Sequence, residues 1–140
     1  MKDLIIIGAS GFGREVAWLV ERINKKSLTW NLIGFIDDNP AFQGITVNGY
    51  PVLGKTEDVS KYTDSYFVCA VGVPLIRKKI IEKVKAVNPS IHFGTLIDPT
   101  VTISDHVVIG EGTVICAETI ITVNITIGSH VLINLDCTVG

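Results

Sequence analysis

A glycine-rich segment near the start of the chain has the residue types needed to bind an anion. The apolar run Leu4–Ile7 ends in Gly8–Gly13, which reads GASGFG, and a helical pattern follows. In such a turn the backbone N–H groups and the helix N-terminus face outward, and glycines allow a phosphate to approach closely. The spacing G-x-x-G-x-G differs from the dinucleotide fingerprint G-x-G-x-x-G. The segment therefore predicts a phosphate-binding turn, with an ordinary strand-to-helix turn as the alternative.

Two carboxylates and another glycine follow later apolar runs. Asp37 and Asp38 come directly after Leu32–Ile36, and Gly72 follows Tyr66–Val71. A carboxylate at the end of the second strand of a parallel sheet lies beside the switch-point crevice, where it can accept hydrogen bonds from a ribose or a base. The alternative is that the two acids solvate a turn before Asn39-Pro40. We favour a binding role for at least one of them, since all three loops open on one carboxyl edge.

The remaining polar groups give no local catalytic motif. Arg77 begins a basic run on the second predicted helix, which we interpret as a solvated face, although Arg77 could reach a phosphate. His106 and His130 share one repeat position, and we expect both to be surface histidines. No serine–histidine–aspartate or metal-ligand spacing accompanies them, so we predict no metal site. Cys137 is expected to serve packing.

Alternating strands and helices must position these groups. Apolar runs predict strands over Leu4–Ile7, Leu32–Ile36 and Tyr66–Val71, with a short edge strand at Pro51–Leu53. The first helix should bury Val16, Leu19, Val20 and Ile23, with Arg14, Glu21 and Arg22 in solvent. The second begins near Pro74 and should bury Ile76, Ile80, Ile81, Val84 and Val87. The alternation predicts a Rossmann-like α/β domain with a parallel sheet over residues 1–94.

Residues 95–140 follow a different rule. An aliphatic residue returns every six positions, and a small or β-branched residue precedes the next one by two. The aliphatic positions are Ile97, Ile103, Ile109, Ile115, Ile121, Ile127, Ile133 and Val139. Residues two apart share a face of a strand, so both sets should point inward. Turn-prone residues often follow each aliphatic directly, as Asp98 and Gly110 do. The pattern resembles the hexapeptide repeat of left-handed parallel β-helices, with a little over two coils.

The two halves together resemble the bacterial sugar O- and N-acetyltransferases of the left-handed β-helix superfamily. The resemblance covers the whole chain through GASGFG, FIDDN, AVGVPLIRKKI and the six-residue repeat. It implies an acetyl-CoA-dependent enzyme acting on a UDP-amino sugar or a sialic-acid-type sugar in glycan synthesis, in a homotrimer with acetyl-CoA between solenoids. Residues expected by this resemblance to contact the nucleotide sugar are Ser10, Gly11, Phe12, Asp37, Asp38 and Gly72. Asn134 is expected to orient the sugar.

The sequence departs from that family at two positions. Phe12 stands where relatives often have histidine, and a phenyl ring cannot donate a hydrogen bond to phosphate. The family's general base is a histidine two positions after a repeat aliphatic, and Val139-Gly140 brings the repeat to the residue before it. We therefore expect no catalytic residue within these 140 residues. We expect an inactive chain, truncated from a longer acetyltransferase that also carries the CoA-binding coils.

Composition limits the alternatives. A formal net charge of −2 argues against a nucleic-acid partner, and no apolar run is long enough for a membrane span, so we expect a cytoplasmic protein. One alternative is a non-catalytic module that binds a nucleotide sugar. Another is a dinucleotide-dependent oxidoreductase, against which the glycine spacing and the repeat both argue.

Overall fold

The computed structural model describes all of residues 1–140. An α/β unit comes first and a β-solenoid follows. Helices α1 and α2 span Gly11–Lys26 and Pro74–Val87. The strands of the first unit are β1 (Lys2–Ile7), β2 (Trp30–Ile36), β3 (Thr46–Val47), β4 (Tyr50–Gly54), β5 (Tyr66–Cys69) and β6 (His92–Phe93). Short 3-10 helices lie at Pro40–Phe42 and Thr56–Lys61.

The first sheet has the strand order β3-β4-β2-β1-β5-β6 and is parallel except for the pair β3–β4. Strand β1 is central, and its residues Leu4–Ile7 are fully buried. A continuous apolar strand is what a parallel sheet covered on both faces requires. One face packs against α1 and the other against α2. The predicted Rossmann-like architecture is confirmed.

Three details of the first unit differ from expectation. The segment Pro51–Leu53 is not an edge strand, because β3 pairs with β4 on its outer side through a hairpin. The two turn residues Asn48 and Gly49 have φ values of 49° and 87°, as a type I′ turn needs. Ile76 is 49% exposed on α2 rather than buried. Arg22 does not point into solvent, because it contacts the solenoid.

The solenoid has three parallel faces. Strands β7 (Leu96–Ile97), β10 (Val114–Ile115) and β13 (Leu132–Ile133) form the first. Strands β8 (Thr102–Ile103), β11 (Ile120–Ile121) and β14 (Thr138–Val139) form the second, and β9 (Val107–Ile109) with β12 (Ile125–Ile127) forms the third. The repeat aliphatics and most of the residues two before them meet in one interior cluster, as the period predicts. The hexapeptide β-helix is confirmed.

The turns of the solenoid lie two residues later than expected. Residues with positive φ stand three positions after each aliphatic from Ile109 to Ile133, at Gly112, Glu118, Asn124, His130 and Asp136. Within the repeat, only this third position takes the left-handed conformation. Glycine adopts it freely, and asparagine, aspartate and histidine adopt it more often than other residues do. The small residues directly after each aliphatic therefore lead into the turn rather than form it.

Two buried threonines connect successive coils. The hydroxyl of Thr113 donates to the carbonyl of Gly128 at 2.7 Å and accepts from the N–H of Val131 at 3.1 Å. Thr119 donates in the same way to the carbonyl of Asn134 at 3.1 Å. Both side chains are fully buried, so an unpaired hydroxyl there would cost about 1–3 kcal/mol. The β-branched threonine suits the strand and satisfies a backbone group of the next coil as well.

The first face of the solenoid is joined to the α/β unit through apolar packing. Outward residues Leu96 and Val114 are fully buried in the same cluster as Val16 and Val20 of α1, and Leu132 packs against its edge. Burial of a leucine or valine side chain contributes about 1.5–3 kcal/mol. The two units therefore share one core, and the third coil has a fixed position beside the carboxyl edge of the first sheet.

Candidate functional site

The carboxyl edge of the first sheet brings together the loops that carry the predicted site residues. The loop after β1 runs into α1, Asp37 and Asp38 follow β2, and Gly72 lies between β5 and α2. Because β1 lies between β2 and β5, these loops are neighbours. In such sheets, ligands usually bind in the crevice at the carboxyl ends of the strands, at the point where the strand order reverses.

The glycines of the loop have different roles. Gly8 has a φ of 106°, and a Cβ there would lie 3.1 Å from the carbonyl of Ala70. A Cβ on Gly13 would collide with the carbonyl of Gly8, so Gly13 allows α1 to pack closely. Gly11 has no atom within 4 Å of a Cβ position. The first and last glycines therefore build the turn, and the middle one leaves open space above it.

The N-terminus of α1 is available to an anion. Ser10 is the N-cap residue, yet its hydroxyl makes no capping hydrogen bond, and the first turn contains no acidic residue. Ser10 and Gly11 are exposed, and Phe12 is half-buried. The partial positive charge of a helix N-terminus is thus unopposed by a carboxylate of the helix itself. This arrangement can bind a phosphate through backbone N–H groups and the free serine hydroxyl.

Asp37 holds the glycine loop in place. One carboxylate oxygen accepts from the N–H of Ala9 at 2.9 Å, and the other accepts from the N–H of Asn39 at 2.9 Å. Gln43 further binds the carbonyl of Asp37 at 2.6 Å. Asp37 is half-buried, and its oxygens keep free lone pairs. Part of its predicted binding role is therefore taken by an internal structural contact.

Asp38 is fixed by Thr56, which the sequence did not single out, and by Lys83, which belongs to the predicted basic run on the second helix. Its carboxylate accepts from the backbone N–H of Thr56 at 2.8 Å and from the Thr56 hydroxyl at 3.0 Å, and it pairs with Lys83 at 3.2 Å. Desolvation raises the pKa of Asp38, but the bonds from Thr56 and Lys83 outweigh it and the pKa is lowered. The carboxylate thus remains ionised beside the crevice. Thr56 is distant in sequence, and no local signal would have found it.

A depression of about 110 Å³ lies between these groups. Its polar lining comes from Gly8, Asp37, Asp38 and Thr56, and its apolar lining from Ile7, Ile36, Val71 and Ile80. Carboxylates above an apolar floor can accept hydrogen bonds from the N–H or O–H groups of a flat polar ring, such as a nucleobase.

A second cleft, of about 140 Å³, lies between the α/β unit and the solenoid. Its lining residues are Phe12, Gly72, Leu132 and Asn134. Three of these are predicted site residues, and Leu132 was not predicted. Asn134 is exposed, and its side-chain oxygen accepts from the N–H of Leu135 at 3.0 Å, while its NH₂ group makes no hydrogen bond within the chain. A ligand bound at the glycine loop would therefore meet a free amide donor from the third coil.

The structure corrects the expectations for Arg77 and His130. Arg77 does not face the phosphate-binding turn, because its guanidinium donates to the carbonyls of Val71 at 2.8 Å and His130 at 3.0 Å. His130 is not a surface histidine. Its ring packs edge-on against Phe93 with centroids 4.5 Å apart, and both ring nitrogens are buried without a partner. The cause is that this repeat corner faces α2 and β6 rather than solvent.

The other candidate reactive groups lie outside both clefts. His92 and His106 are exposed. Burial raises the pKa of the Cys69 and Cys116 thiols to about 11, so both are protonated at neutral pH. No group of three or more histidine, cysteine, aspartate or glutamate side chains is arranged to hold a metal ion. Neither helix has the length and hydropathy of a membrane span.

The chain belongs to the family described as the PglD N-terminal domain, whose model matches residues 3–84. This match confirms the expected family.

Particular relatives extend the match into the solenoid. The chain is 36% identical over 120 residues to a UDP-N-acetylbacillosamine N-acetyltransferase of Bacillus subtilis, covering 84% of this chain and 52% of that protein. It is 29% identical to a GDP-perosamine N-acetyltransferase of Escherichia coli O157:H7, covering 96% of this chain and 63% of that protein.

A solved structure agrees with the fold. The acetyltransferase domain of PglB from Neisseria gonorrhoeae, in complex with acetyl coenzyme A, superposes with a TM-score of 0.84 at 32% identity. The match covers 99% of this chain and 64% of that one. This chain therefore spans between about half and two thirds of the length of the three proteins it resembles.

Proposed function

We propose that this chain binds a nucleoside-diphosphate-linked amino sugar and forms the sugar-nucleotide-binding part of an acetyl-CoA-dependent sugar N-acetyltransferase. The observation that carries the proposal is the cleft in which Phe12 and Gly72 of the α/β unit face Leu132 and Asn134 of the solenoid. The names of the two sequence relatives, both N-acetyltransferases, favour an amine over a hydroxyl as the acceptor.

The ligand lies across both clefts. Its diphosphate accepts hydrogen bonds at the N-terminus of α1, from backbone N–H groups and Ser10. Its base occupies the depression beside Asp37 and Asp38, and its sugar extends between Phe12 and Asn134. The ring of Phe12 contributes apolar contact, so backbone groups carry the phosphate binding there.

The reaction joins the sugar amine to the acetyl group. The amine nitrogen attacks the thioester carbonyl, a general base takes its proton, and the tetrahedral oxyanion collapses with cleavage of the C–S bond to give the amide and the CoA thiol. None of the three histidines of this chain lines the cleft. We therefore expect the 140 residues alone to bind the nucleotide sugar but to transfer the acetyl group only very slowly. A cytoplasmic location and a trimer with acetyl-CoA between solenoids complete the proposal.

Calorimetric titration tests the binding proposal through Gly11. Because a side chain there meets no atom, both Gly11→Glu and Gly11→Gln should fold. A glutamate in the first turn stabilises a helix by about 0.3–1 kcal/mol, yet it repels a diphosphate. The wild type should bind UDP- or GDP-linked 4-amino sugars, and Gly11→Glu should bind them at least about tenfold more weakly than Gly11→Gln, which has a side chain of the same size without the charge.

Two outcomes contradict the proposal. Equal affinity of the glutamate and glutamine variants would show that no phosphate lies at α1. Tighter binding of NAD than of every nucleotide sugar tested would favour an oxidoreductase instead. Thiol release from acetyl-CoA, measured in the same samples, should remain near background.

A further inference from the structure

Arg77 connects the two walls of the interdomain cleft. Its Nη1 donates to the carbonyl of Val71 at 2.8 Å and of Gly72 at 3.3 Å, while its Nε donates to the carbonyl of His130 at 3.0 Å. Gly72 forms one wall of the cleft. His130 is two residues before Leu132 in the corner that leads to the other wall. One guanidinium therefore sets the distance between the loop after β5 and the third coil.

No other hydrogen bond connects α2 to the solenoid. His130 adds apolar contact with Phe93, but its imidazole nitrogens bind nothing. The left-handed conformation of His130, with a φ of 57°, turns its carbonyl toward Arg77. Bonds from His130 to Glu111 and from Val131 to Thr113 hold this corner on the preceding coil. Its hydrogen-bonded connection to α2, and so to the wall formed by Gly72, depends on the guanidinium.

We propose that Arg77 is a positioning residue for the amino sugar, acting through the carbonyls of Gly72 and His130 without contacting the ligand. The proposal rests on the proposed function, because it assumes that the sugar lies between Phe12 and Asn134. Its consequence is that Arg77 governs the affinity added by the sugar and leaves the affinity for the nucleotide itself nearly unchanged.

Arginine suits this role because its planar guanidinium presents several donors in a fixed geometry. A lysine ammonium is a flexible point donor and cannot hold two loops in one register. Arg77→Lys should therefore resemble Arg77→Gln rather than the wild type. This expectation separates positioning from simple charge, since lysine keeps the charge.

The test compares the affinity for a nucleoside diphosphate with that for the corresponding 4-amino-sugar nucleotide. In the wild type the sugar should increase affinity. In Arg77→Gln and Arg77→Lys this increase should fall at least about fivefold, while the affinity for the diphosphate alone changes less than about twofold. Lys79→Met, two residues along on an exposed face of α2, is the matched control and should behave as the wild type.

A double-mutant cycle with Asn134→Ala identifies the route. If Arg77 acts by placing the third coil, Asn134→Ala should reduce the affinity gained from the sugar in the wild-type background. In the Arg77→Gln background it should reduce this gain little further. Three results would overturn the inference: additive losses of affinity in the double mutant, an equal loss of affinity for the diphosphate and the sugar nucleotide, or a fully retained gain of affinity from the sugar. A wild type that gains no affinity from the sugar would contradict the proposed function instead.

Discussion

Two arginines connect the α/β unit to the solenoid, and they do so with different chemistry. Arg22 of α1 forms a paired contact with Asp98, at 2.6 Å and 3.1 Å, directly after β7 in the first coil. Arg77 of α2 instead donates to neutral carbonyls beside the third coil. The side chain of Asp98 is 0% exposed and that of Arg22 is 29% exposed, so the first contact is an ion pair with an enclosed carboxylate. The second holds loops that line a cleft.

The difference between the two arginine contacts indicates that one serves the stability of the fold and the other the geometry of the cleft. Asp98 also accepts from the N–H and hydroxyl of Thr100, at 2.9 Å and 2.6 Å. Desolvation raises the pKa of Asp98, but the bonds from Arg22 and Thr100 outweigh it and the pKa is lowered. An enclosed carboxylate loses much of its stabilisation when its charged partner is removed. The carbonyls bound by Arg77 carry no charge, so removal of Arg77 leaves no unpaired ion. We expect the first link to matter for folding and the second for binding.

Removing Arg22 should give the largest loss of stability. Arg22→Met leaves Asp98 enclosed without its countercharge, which costs about 3–5 kcal/mol for a buried pair. Arg77→Met removes hydrogen bonds from a charged donor, worth about 1.5–3 kcal/mol. Urea unfolding of both variants measures the difference in free energy of unfolding. If Arg77→Met proved the more destabilising, the assignment of roles to the two links would be reversed.

Acid should weaken the two links in separate pH ranges. Burial lowers the pKa of His130, and Lys85 and Arg77 lower it further against the opposing effect of Glu111. Since the unfolded state then binds the proton first, stability should fall as the pH drops below about 6.5 toward the folded-state pKa of His130. The lowered pKa of Asp98 instead gives stability that is lost only below about 4.

Thermal unfolding between pH 7 and 5 measures this histidine effect. His130→Asn keeps a residue that tolerates positive φ and removes the titrating group, so its stability should depend less on pH in this range. An unchanged pH dependence in the variant would mean that another group titrates there. Arg22→Met should retain the wild-type dependence between pH 7 and 5.

The smallest effect is expected at the exposed pair of Asp38 and Lys83. The two side chains are 46% and 51% exposed, and such pairs contribute about 0–1 kcal/mol. Lys83→Met should therefore change the urea midpoint little, although Arg22→Met removes a pair of the same charges. A loss comparable to that of Arg22→Met would show that enclosure is not what distinguishes the two ion pairs.

Short-range patterns in the sequence predicted much of the fold. The six-residue period gave the solenoid and its interior, because each coil repeats one local rule. The glycine loop and the apolar strand before it gave the centre of the first sheet. The hairpin at Asn48-Gly49 was missed although Asn-Gly is a strong turn signal.

Long-range contacts were beyond the sequence. Nothing near Arg22 indicates Asp98, and nothing near Arg77 indicates the carbonyl of His130, since 76 and 53 residues separate them. Helical periodicity assigned both arginines to solvent because it describes one helix and not what packs against it. The neighbourhood of Phe12, Gly72 and Asn134 is likewise visible only once the solenoid is placed beside the sheet.

A crystal structure of the chain with a UDP-linked 4-amino sugar would show where the diphosphate and the sugar bind. We expect diphosphate oxygens within about 2.7–3.2 Å of backbone N–H groups at Gly11 and Phe12, with the sugar between Phe12 and Asn134. A diphosphate bound instead against Lys78 and Lys85 beside His130, or a sugar directed away from the third coil, would contradict this expectation.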